Sequence, residues 1–455
     1  MLFHGTFTSE EMQVDHHVFH VEDAAMLSFT LLDGEFEHVL VEVKDPSGAM
    51  RALLTYKTRV NQACLTDSGL TSTNGCVPGP IPDGDWTLDI VRTYPVEGGY
   101  SLRIDVNLGS LPREGSNPLK VDRGAIVEPR SGWFVGDFHA HGMYSDGRIS
   151  QEGIAKSVEA AGLDFFAMSD HSIATTKFPS VDAMVLPSTE VTWDDSGHYN
   201  VHGLADLPDY ARYVNGAASK SEALDKLFKD MKGRGCVISL NHPFPRGWTL
   251  SHDFDIRSLS LFEVINAPHL FDPEVDNERA LRLFDFLWSR GHRLMAVGGS
   301  DAHKKNYFDT YPIGIPKTKV YCNGLSVNNV LHAAVAGHSY VQVREDFEIA
   351  FRRPGEQGCS ILPGERAEGC VECRARCTAP VVWELVHNGK AVYASRGRVF
   401  DREFEVALGD WWRLQARDKS GELLLVANPV HNLNITPEEC RFQALLNEFY
   451  SSELA

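Results

Sequence analysis

The stretch GDFHAHGMYSDG, residues 136–147, places two histidines two positions apart, directly after the apolar run at 133–135. Side chains two apart in a β-strand point to the same side, so His139 and His141 are predicted to face one site together. Asp146 follows after a turn and offers a carboxylate just beyond. Imidazole and carboxylate are donors that zinc, manganese and iron accept. The stretch therefore predicts a metal site at the end of a strand.

The length and charge of the chain limit its class of function. At 455 residues it is long enough for two or three domains. Its composition, 43% hydrophobic and 23% charged, is that of a soluble globular protein. With 43 Lys and Arg against 62 Asp and Glu, the net charge of -19 disfavours binding to a nucleic-acid backbone or to anionic lipid. A phosphorylated small-molecule substrate would need local cations, such as metal ions.

Localisation and cysteine usage give further expectations. No apolar run approaches the ~18 residues of a membrane span, and residues 1–17 lack the basic start and apolar core of a signal peptide. The sequence therefore predicts a cytoplasmic protein without a membrane partner. The nine cysteines are an odd number and mostly scattered, which favours reduced thiols. One cluster leaves a structural zinc or a disulfide open beside ordinary loop thiols: Cys370, Cys373 and Cys377, preceded by Cys359.

Three regions of the chain differ in their residue pattern. Residues 1–128 contain short alternating apolar stretches between turn clusters, which predicts a β-sandwich-like domain. In residues 129–340, strand patterns alternate with helical patterns, which predicts parallel βα units. Residues 341–455 return to β patterns and end in a short helical tail. Residues 111–118 have the composition of a linker.

The central region can be divided into elements. The predicted strands are 133–138, 164–169, 184–191, 236–240, 261–265 and 293–298. The predicted helices are 151–161, 219–234, 275–290 and 326–336. Ser150 is the predicted N-cap of the first helix.

Residues that can bind metal follow the predicted strands repeatedly. The carboxyl ends of parallel strands meet at one face of a barrel, so residues far apart in sequence can share one pocket. Nine such residues exceed what one ion needs, so two or three divalent ions are predicted, with Glu190 as the shared carboxylate. The nine are His139, His141, Asp146, His171, Glu190, His198, His242, Asp301 and His303.

These motifs resemble the PHP (polymerase and histidinol phosphatase) superfamily. The matching segments are DFHAHGMYSDG at 137–147, SDH at 169–171, Glu190 with Gly197-His198, NHP at 241–243 and GSDAH at 299–303. The resemblance covers roughly residues 131–340, and Gly142 departs from it, because the family usually has Ser or Thr there. The implied fold is a distorted (β/α)7 barrel, here flanked by β-sandwich-like domains. The flanking regions, with residues 337–341, resemble more loosely the carbaryl-hydrolase-like branch of bacterial metallohydrolases.

The resemblance also implies three metal positions. The first would use His139, His141, Glu190 and Asp301. The second would use Glu190, His198 and His242, and the third Asp146, His171 and His303. Four adjacent polar residues could orient these ligands: Asp137, Asp170, Asn200 and Asn241.

The predicted chemistry is metal-dependent hydrolysis. A hydroxide that bridges two cations is a nucleophile at neutral pH, because bound metal lowers the pKa of water. Glu190 is the predicted bridge, and His171 and His303 are predicted proton donors if they are not fully committed as metal ligands. Three cations next to ligand segments are candidates for binding a substrate phosphate: Arg148, Arg246 and Lys304.

Three functions are consistent with these residues. The preferred one is a phosphoesterase for a small phosphorylated metabolite or nucleotide. An amide, ester or aryl-carbamate hydrolase would use the same site, and an apolar pocket with few cations would favour it. A non-catalytic binding module is the third, and the complete ligand set argues against it. The substrate does not follow from the sequence, because pocket walls are built from loops.

Overall fold

The N-terminal region forms antiparallel sheets, because its alternating apolar stretches are separated by turns. The computed structural model describes residues 1–8, 12–34, 39–94, 97–107, 116–194, 196–247, 249–266, 275–303, 312–356, 358 and 360–453. The first strands are β1 (Leu2–Phe7), β2 (Gln13–Val21), β3 (Met26–Gly34), β4 (Val39–Lys44), β5 (Met50–Thr55), β6 (Gln62–Thr66), β7 (Gly84–Arg92) and β8 (Gly98–Val106). They form two four-stranded sheets, in the orders β1-β8-β3-β6 and β2-β7-β4-β5.

The two N-terminal sheets share one apolar core. Phe29 of β3, Val41 of β4 and Trp86 of β7 are fully buried in a single cluster that draws on both sheets. This arrangement is compatible with the predicted β-sandwich-like fold.

The central region alternates strands and helices, as predicted. Its strands are β9 (Asn117–Pro118), β10 (Glu128–Asp137), β11 (Phe165–Met168), β12 (Lys177–Phe178), β13 (Met184–Thr192), β14 (His198–His202), β15 (Val237–Leu240), β16 (Leu261–Asn266), β17 (Met295–Gly299), β18 (Lys317–Leu325) and β19 (Ser339–Gln342). Its helices are α1 (Gln151–Ala161), α2 (Tyr210–Val214), α3 (Lys220–Gly233), α4 (Asn277–Ser289) and α5 (Val327–Val335), with a short 3-10 helix at Ile256–Ser258. The four predicted helices and the six predicted strands are confirmed, apart from small differences at their ends.

Helix α1 begins where the sequence predicts. The side chain of Ser150 accepts a hydrogen bond from the backbone N–H of Gly153 at 3.2 Å, which satisfies one of the unpaired donors of the first turn. Gly162 ends the helix in the left-handed conformation, with φ of 62°. Ile154 and Val158 lie on the buried face, one turn apart.

The central strands form a mixed sheet in the order β17-β16-β15-β14-β13-β11-β10-β18. Most neighbours are parallel, whereas β14 runs antiparallel to both β13 and β15, and β18 runs antiparallel to β10. The sequence did not predict β14 or β18 as strands. Only residues 193–197 connect β13 to β14. A parallel connection needs about a dozen residues or more, so this short one produces an antiparallel hairpin.

The predicted (β/α)7 barrel is not observed, because the sheet stays open across the described residues. Between β17 and β18, the hydroxyl of Thr318 accepts from the N–H of Gly298 at 2.9 Å and donates to its carbonyl at 3.0 Å. A side chain therefore stands where a closed barrel would have backbone hydrogen bonds. Asn428 acts similarly between β17 and β19, donating to the carbonyls of Ala296 and Ser339, each at 3.1 Å.

The residues that follow β10 and β17 nevertheless pair with each other. Ala140 and Ala302 form an isolated parallel bridge. In this bridge, the backbone N–H of His141 donates to the carbonyl of Ala302 at 3.0 Å. The backbone N–H of Asp301 donates to the carbonyl of His139 at 2.8 Å. Three predicted ligands from opposite ends of the central region are thereby placed side by side.

The C-terminal strands continue the same sheet. They are β20 (Phe347–Arg352), β21 (Gly369–His387), β22 (Lys390–Val406), β23 (Trp411–Arg417), β24 (Leu423–Ala427) and β25 (Val430–His431), followed by α6 (Phe442–Glu453). Strand β19 pairs with β24, and the resulting sheet has 15 strands. The predicted helical tail is confirmed as α6.

Two predictions about organisation are not tested by the fold. The domain boundaries predicted at residues 128 and 340 stay predictions, and residues 111–115 of the predicted linker lie outside the described residues. Across the described part of the chain, no helix combines the length and the apolar character needed to cross a membrane.

Candidate metal centre

Asp137, the last residue of β10, holds the chain in the position that presents the two histidines. Its Oδ1 accepts from the backbone N–H of His139 at 3.1 Å and of Ser300 at 3.0 Å, and its Oδ2 accepts from Gly314 at 2.8 Å. Burial raises the pKa of Asp137, and the N–H donors oppose that rise. Asp137 therefore ties the end of β10 to the segment after β17.

His139, His141 and Asp301 form the first group of facing ligand atoms. The Nε2 atoms of the two histidines are 2.9 Å apart. Asp301 Oδ1 lies 3.3 Å from Nε2 of His139 and 3.1 Å from Nε2 of His141. Glu190 adds Oε1 at 3.3 Å from His139 and Oε2 at 3.5 Å from His141. These are the four residues that the resemblance assigns to the first metal position.

Glu190 also reaches the second group. Its Oε1 lies 3.4 Å from His198 Nδ1 and 3.2 Å from His242 Nε2. Asn241 donates to the same oxygen at 2.8 Å, so this predicted orienting residue contacts a candidate ligand. The hairpin of β13 and β14 places His198 beside Glu190, because the turn brings the two strands back together.

The third group contains Asp146, His171 and His303. Asp146 Oδ1 lies 3.4 Å from His171 Nε2 and 3.2 Å from His303 Nε2. The ring of His141 packs beside both histidines, with its centroid 4.4 Å from that of His171 and 4.2 Å from that of His303. All nine predicted ligands therefore lie in one continuous cluster, and their role as ligands remains a proposal.

The cluster fits divalent cations better than it fits internal hydrogen bonding. Asp146 Oδ1, Glu190 Oε2 and Asp301 Oδ1 are buried, and none of them has a hydrogen-bond partner among the described residues. Glu190 Oε2 is 2.8 Å from His171 Nδ1, but the pair lacks hydrogen-bond geometry. Buried polar atoms are rarely left in this state, and a cation between them would accept their lone pairs.

The charges of the cluster place the carboxylates and His141 in the forms that bind metal, whereas His303 keeps a proton. Nearby histidines, His139 first, hold the pKa of Glu190 and of Asp301 well below its usual range, although burial opposes this. Burial lowers the pKa of His141 to about 3, so its imidazole is neutral at pH 7. Burial also acts to lower the pKa of His303, but Asp146 and Asp301 outweigh it and raise that pKa to about 9. Without metal, protons balance these carboxylates, and a bound cation would displace them.

Glu263, on β16, is a site residue that the sequence did not identify. Its Oε1 lies 3.1 Å from His139 Nδ1, and its Oε2 accepts from the backbone N–H of His242 at 2.9 Å. A carboxylate on the second nitrogen of a metal-binding histidine orients the ring and raises its basicity. The available signal was a charged residue inside the apolar strand LFEVIN, where Glu263 is 2% exposed.

Other predicted orienting residues act on the backbone instead of on ligands. Asp170 Oδ1 accepts from the N–H of Gly142 at 2.7 Å and from the hydroxyl of Ser145 at 2.8 Å, which shapes the loop before Asp146. Asn200 donates to the carbonyl of Phe138 at 3.1 Å. The position of Gly142, where the superfamily usually has Ser or Thr, therefore lies beside an anchoring carboxylate.

Among the described residues, the predicted substrate-binding cations form no ion pair with a carboxylate of the nine candidate ligands, and their binding of a phosphate stays a prediction. Arg148 and Arg246 are exposed, and Arg148 reaches the site through its backbone N–H, which donates to the carbonyl of His303 at 2.6 Å. Lys304 lies outside the described residues. Instead, Lys57 of the N-terminal region lies with its Nζ 3.7 Å from Asp146 Oδ2. Only the tertiary structure brings this lysine to the site.

The cysteine cluster does not form a metal site among the described residues. Cys370 is exposed, whereas Cys373 and Cys377 are buried on the same strand, β21. Side chains at odd spacing along a strand point to opposite faces, so Cys370 points away from the other two. Burial raises the pKa of the Cys377 thiol, which favours the neutral thiol. Cys359 lies outside the described residues.

Comparison with known proteins does not assign the chain to a family. No protein-family model matches it, and no curated protein matches it. Among solved structures, it is similar to a two-domain protein from Bacteroides vulgatus ATCC 8482 that contains a predicted PHP-like metal-dependent phosphoesterase. The identity is 15%, the TM-score is 0.36, and the match covers 71% of this chain and 100% of that one. At these values the similarity assigns neither fold nor activity, and the candidate metal centre rests on its own residues.

Proposed function

We propose that this protein is a metal-dependent hydrolase that cleaves phosphate esters of a small metabolite or nucleotide. The supporting observation is that the buried Glu190 lies within 3.5 Å of five histidine side chains. A carboxylate surrounded by imidazoles is suited to a site that shares one carboxylate among several cations. Membership of the PHP superfamily, and of its carbaryl-hydrolase-like branch, is part of this proposal.

The two oxygens of Glu190 serve different partners. Oε1 faces His198 and His242 as well as His139, whereas Oε2 faces His141 and His171. Glu190 would therefore be a ligand of two cations. The site would hold two or three divalent cations in all, and these could be manganese, zinc or iron. Bound cations of this kind activate water at neutral pH and stabilise negative charge on a phosphoryl or carbonyl oxygen.

His171 and His303 stand beside Asp146, and either histidine would supply the leaving-group proton only where its Nε2 does not hold a cation. His303 Nδ1 lies 2.7 Å from the carbonyl oxygen of Asp301, which can only accept, so Nδ1 carries a proton. The Nε2 atom then faces Asp146 Oδ1. The Thr192 hydroxyl lies 2.7 Å from His171 Nδ1 and fixes the orientation of that ring.

Metal analysis followed by a hydrolase panel tests this function. We expect the full chain to bind two or three divalent ions and to release p-nitrophenol from p-nitrophenyl phosphate. His141→Ala should lose at least one ion and its activity, since two ligand groups meet at this ring. His332→Ala, at an exposed position of α5, is the matched control and should retain both. Inactivity across phosphate esters with manganese, zinc and iron restored would rule out the phosphoesterase proposal.

An amide, ester or aryl-carbamate hydrolase is the second candidate. The observation that favours it is that Arg148 and Arg246 are exposed and that, among the described residues, neither forms an ion pair with a candidate ligand. Under this alternative, the loaded protein would hydrolyse aryl carbamates or aryl esters and would leave phosphate esters intact. His141→Ala would again abolish turnover.

A further inference from the structure

The loop between β5 and β6, residues 56–61, is attached to the loop that carries Asp146. The backbone N–H of Arg59 donates to the carbonyls of Met143 at 3.0 Å and Ser145 at 3.1 Å. The hydroxyl of Thr58 donates to Met143 at 3.3 Å. An N-terminal segment is therefore held against the rim of the candidate metal centre.

This loop brings two cations to that rim. Lys57 Nζ lies 3.7 Å from Asp146 Oδ2, and its side chain is only 14% exposed. Arg59 is exposed, and its Nη2 donates to the backbone carbonyl of Asp146 at 3.4 Å. Among the described residues, Lys57 forms the only Lys or Arg ion pair with a carboxylate of the nine candidate ligands.

The rim next to Lys57 is also where the site opens to solvent. The side chains of Asp146 and His303 are 30% and 26% exposed, whereas those of His139, His141 and Glu190 are fully buried. The most exposed of the candidate ligands therefore lie on the side where Lys57 stands, and we expect a substrate to approach there. Lysine binds phosphate as a point charge, and in a chain with a net charge of -19 an anionic substrate needs a cation at the site itself.

We propose that Lys57, assisted by Arg59, binds the anionic phosphate group of the substrate, so that the N-terminal region contributes part of the substrate site. This inference rests on the proposed phosphoesterase function, because it names the residues that receive the phosphate. The two carboxylate oxygens of Asp146 have different neighbours: Oδ1 faces His171 and His303, and Oδ2 faces Lys57.

Binding of inorganic phosphate to the metal-loaded full chain, measured by calorimetry, tests the proposal. Lys57→Gln should raise the Kd for phosphate about tenfold or more, because a charge-assisted contact is lost. Its metal content should stay unchanged. Lys156→Gln, at an exposed position of α1, is the matched control and should bind phosphate normally. For p-nitrophenyl phosphate, Lys57→Gln should raise KM by a similar factor, while the KM for an uncharged aryl ester should not change.

Several results would overturn the proposal. An unchanged phosphate Kd in Lys57→Gln would show that the lysine does not contact the anion, as would failure of the wild-type loaded protein to bind phosphate. Loss of a metal ion in Lys57→Gln would show that the lysine only supports Asp146. If Lys57→Gln does not fold, Arg59→Gln decides, because its exposed side chain can change while the backbone bonds of the loop remain. It should raise the phosphate Kd about threefold or more, and no change would overturn the proposal.

The same experiment separates this inference from the proposed function. Phosphate binding that depends on Lys57, without turnover of any phosphate ester, would remove the phosphoesterase activity and leave the anion site in place. Turnover of phosphate esters with the same KM in the wild type and in Lys57→Gln would support the phosphoesterase activity and would contradict the anion site at Lys57.

Discussion

Both ring nitrogens of His139 have partners, and the two sides of the ring have different functions. Nε2 faces His141 and Asp301, where a cation would bind, whereas Nδ1 faces Glu263. Burial acts to lower the pKa of His139, but the surrounding carboxylates, with Asp301 first, raise it well above its usual value. The ring is therefore held in one orientation by charge. Glu263 determines that orientation from the side away from the proposed cation.

Glu263→Gln removes this charge while keeping the size of the side chain. We expect the affinity for the first metal to fall about 10- to 100-fold, as is usual when the partner of a ligating histidine is changed. Competition with a chelator, followed by metal analysis, measures the effect. Glu159→Gln, at an exposed position of α1, should bind metal like the wild type. Equal metal affinity in the two variants would contradict the role given to Glu263.

The ends of β10 and β17 approach closely because residue 299 has no side chain. A Cβ added at Gly299 would lie 2.2 Å from His139 Cβ, 2.9 Å from His139 N and 2.7 Å from Glu263 Oε1. The two His139 atoms are close to or part of the backbone that follows β10, so only movement of a strand could relieve the overlap. The two strand ends carry His139 and Asp301, which must stay in contact for the first metal group to exist.

Gly299→Ala should therefore separate the two strand ends. We expect the free energy of unfolding to fall by about 1–3 kcal/mol from overpacking, together with loss of at least one bound metal ion. Urea unfolding and metal analysis measure the two effects. Gly233→Ala is the matched control, because its added Cβ, at the end of α3, meets no atom within 4 Å. A Gly299→Ala variant with wild-type metal content would show that the strand ends can move apart without harm.

Across the whole molecule, the C-terminal strands and the central helices share one apolar core. His431 of β25 is 4% exposed, and its ring packs against Trp288 of α4 with centroids 5.6 Å apart. Burial lowers the pKa of His431 to about 4, and Arg293 and Arg366 act in the same direction. The imidazole is therefore buried in its neutral form between the two regions.

Acid should weaken this contact in a defined pH range. The pKa of His431 is about 4 when folded and 6.5 without the protein environment, so between these values the unfolded chain binds a proton that the folded chain does not. The stabilisation is complete above pH 6.5 and is lost as the pH falls towards 4, at about 1.4 kcal/mol per pH unit.

Urea unfolding of wild type and His431→Gln across this pH range measures the effect. As the pH falls, the free energy of unfolding should decrease more steeply in the wild type than in His431→Gln. The difference between the two slopes should correspond to about one bound proton, because glutamine does not titrate. His332→Gln, exposed on α5, should keep the wild-type slope. Parallel slopes for wild type and His431→Gln would contradict the prediction.

The sequence by itself determined the six predicted strands, the four predicted helices and the candidate ligands that follow the strands. Ser150 caps helix α1 as predicted, because a cap is a contact between residues close in sequence. His139 and His141 face one site because alternation along a strand is also a local property. Motif spacing identified the remaining seven members of the cluster, which the structure brings together.

Only the tertiary structure decided what surrounds that cluster. The antiparallel strand β14, the open sheet and the separation of Cys370 from Cys373 follow from how strands pair. Glu263 and Lys57 reach the site from segments whose local pattern is that of an ordinary strand and an ordinary loop. Local patterns carry no information about which distant segment packs against which, because that choice depends on burying the apolar faces of all elements together.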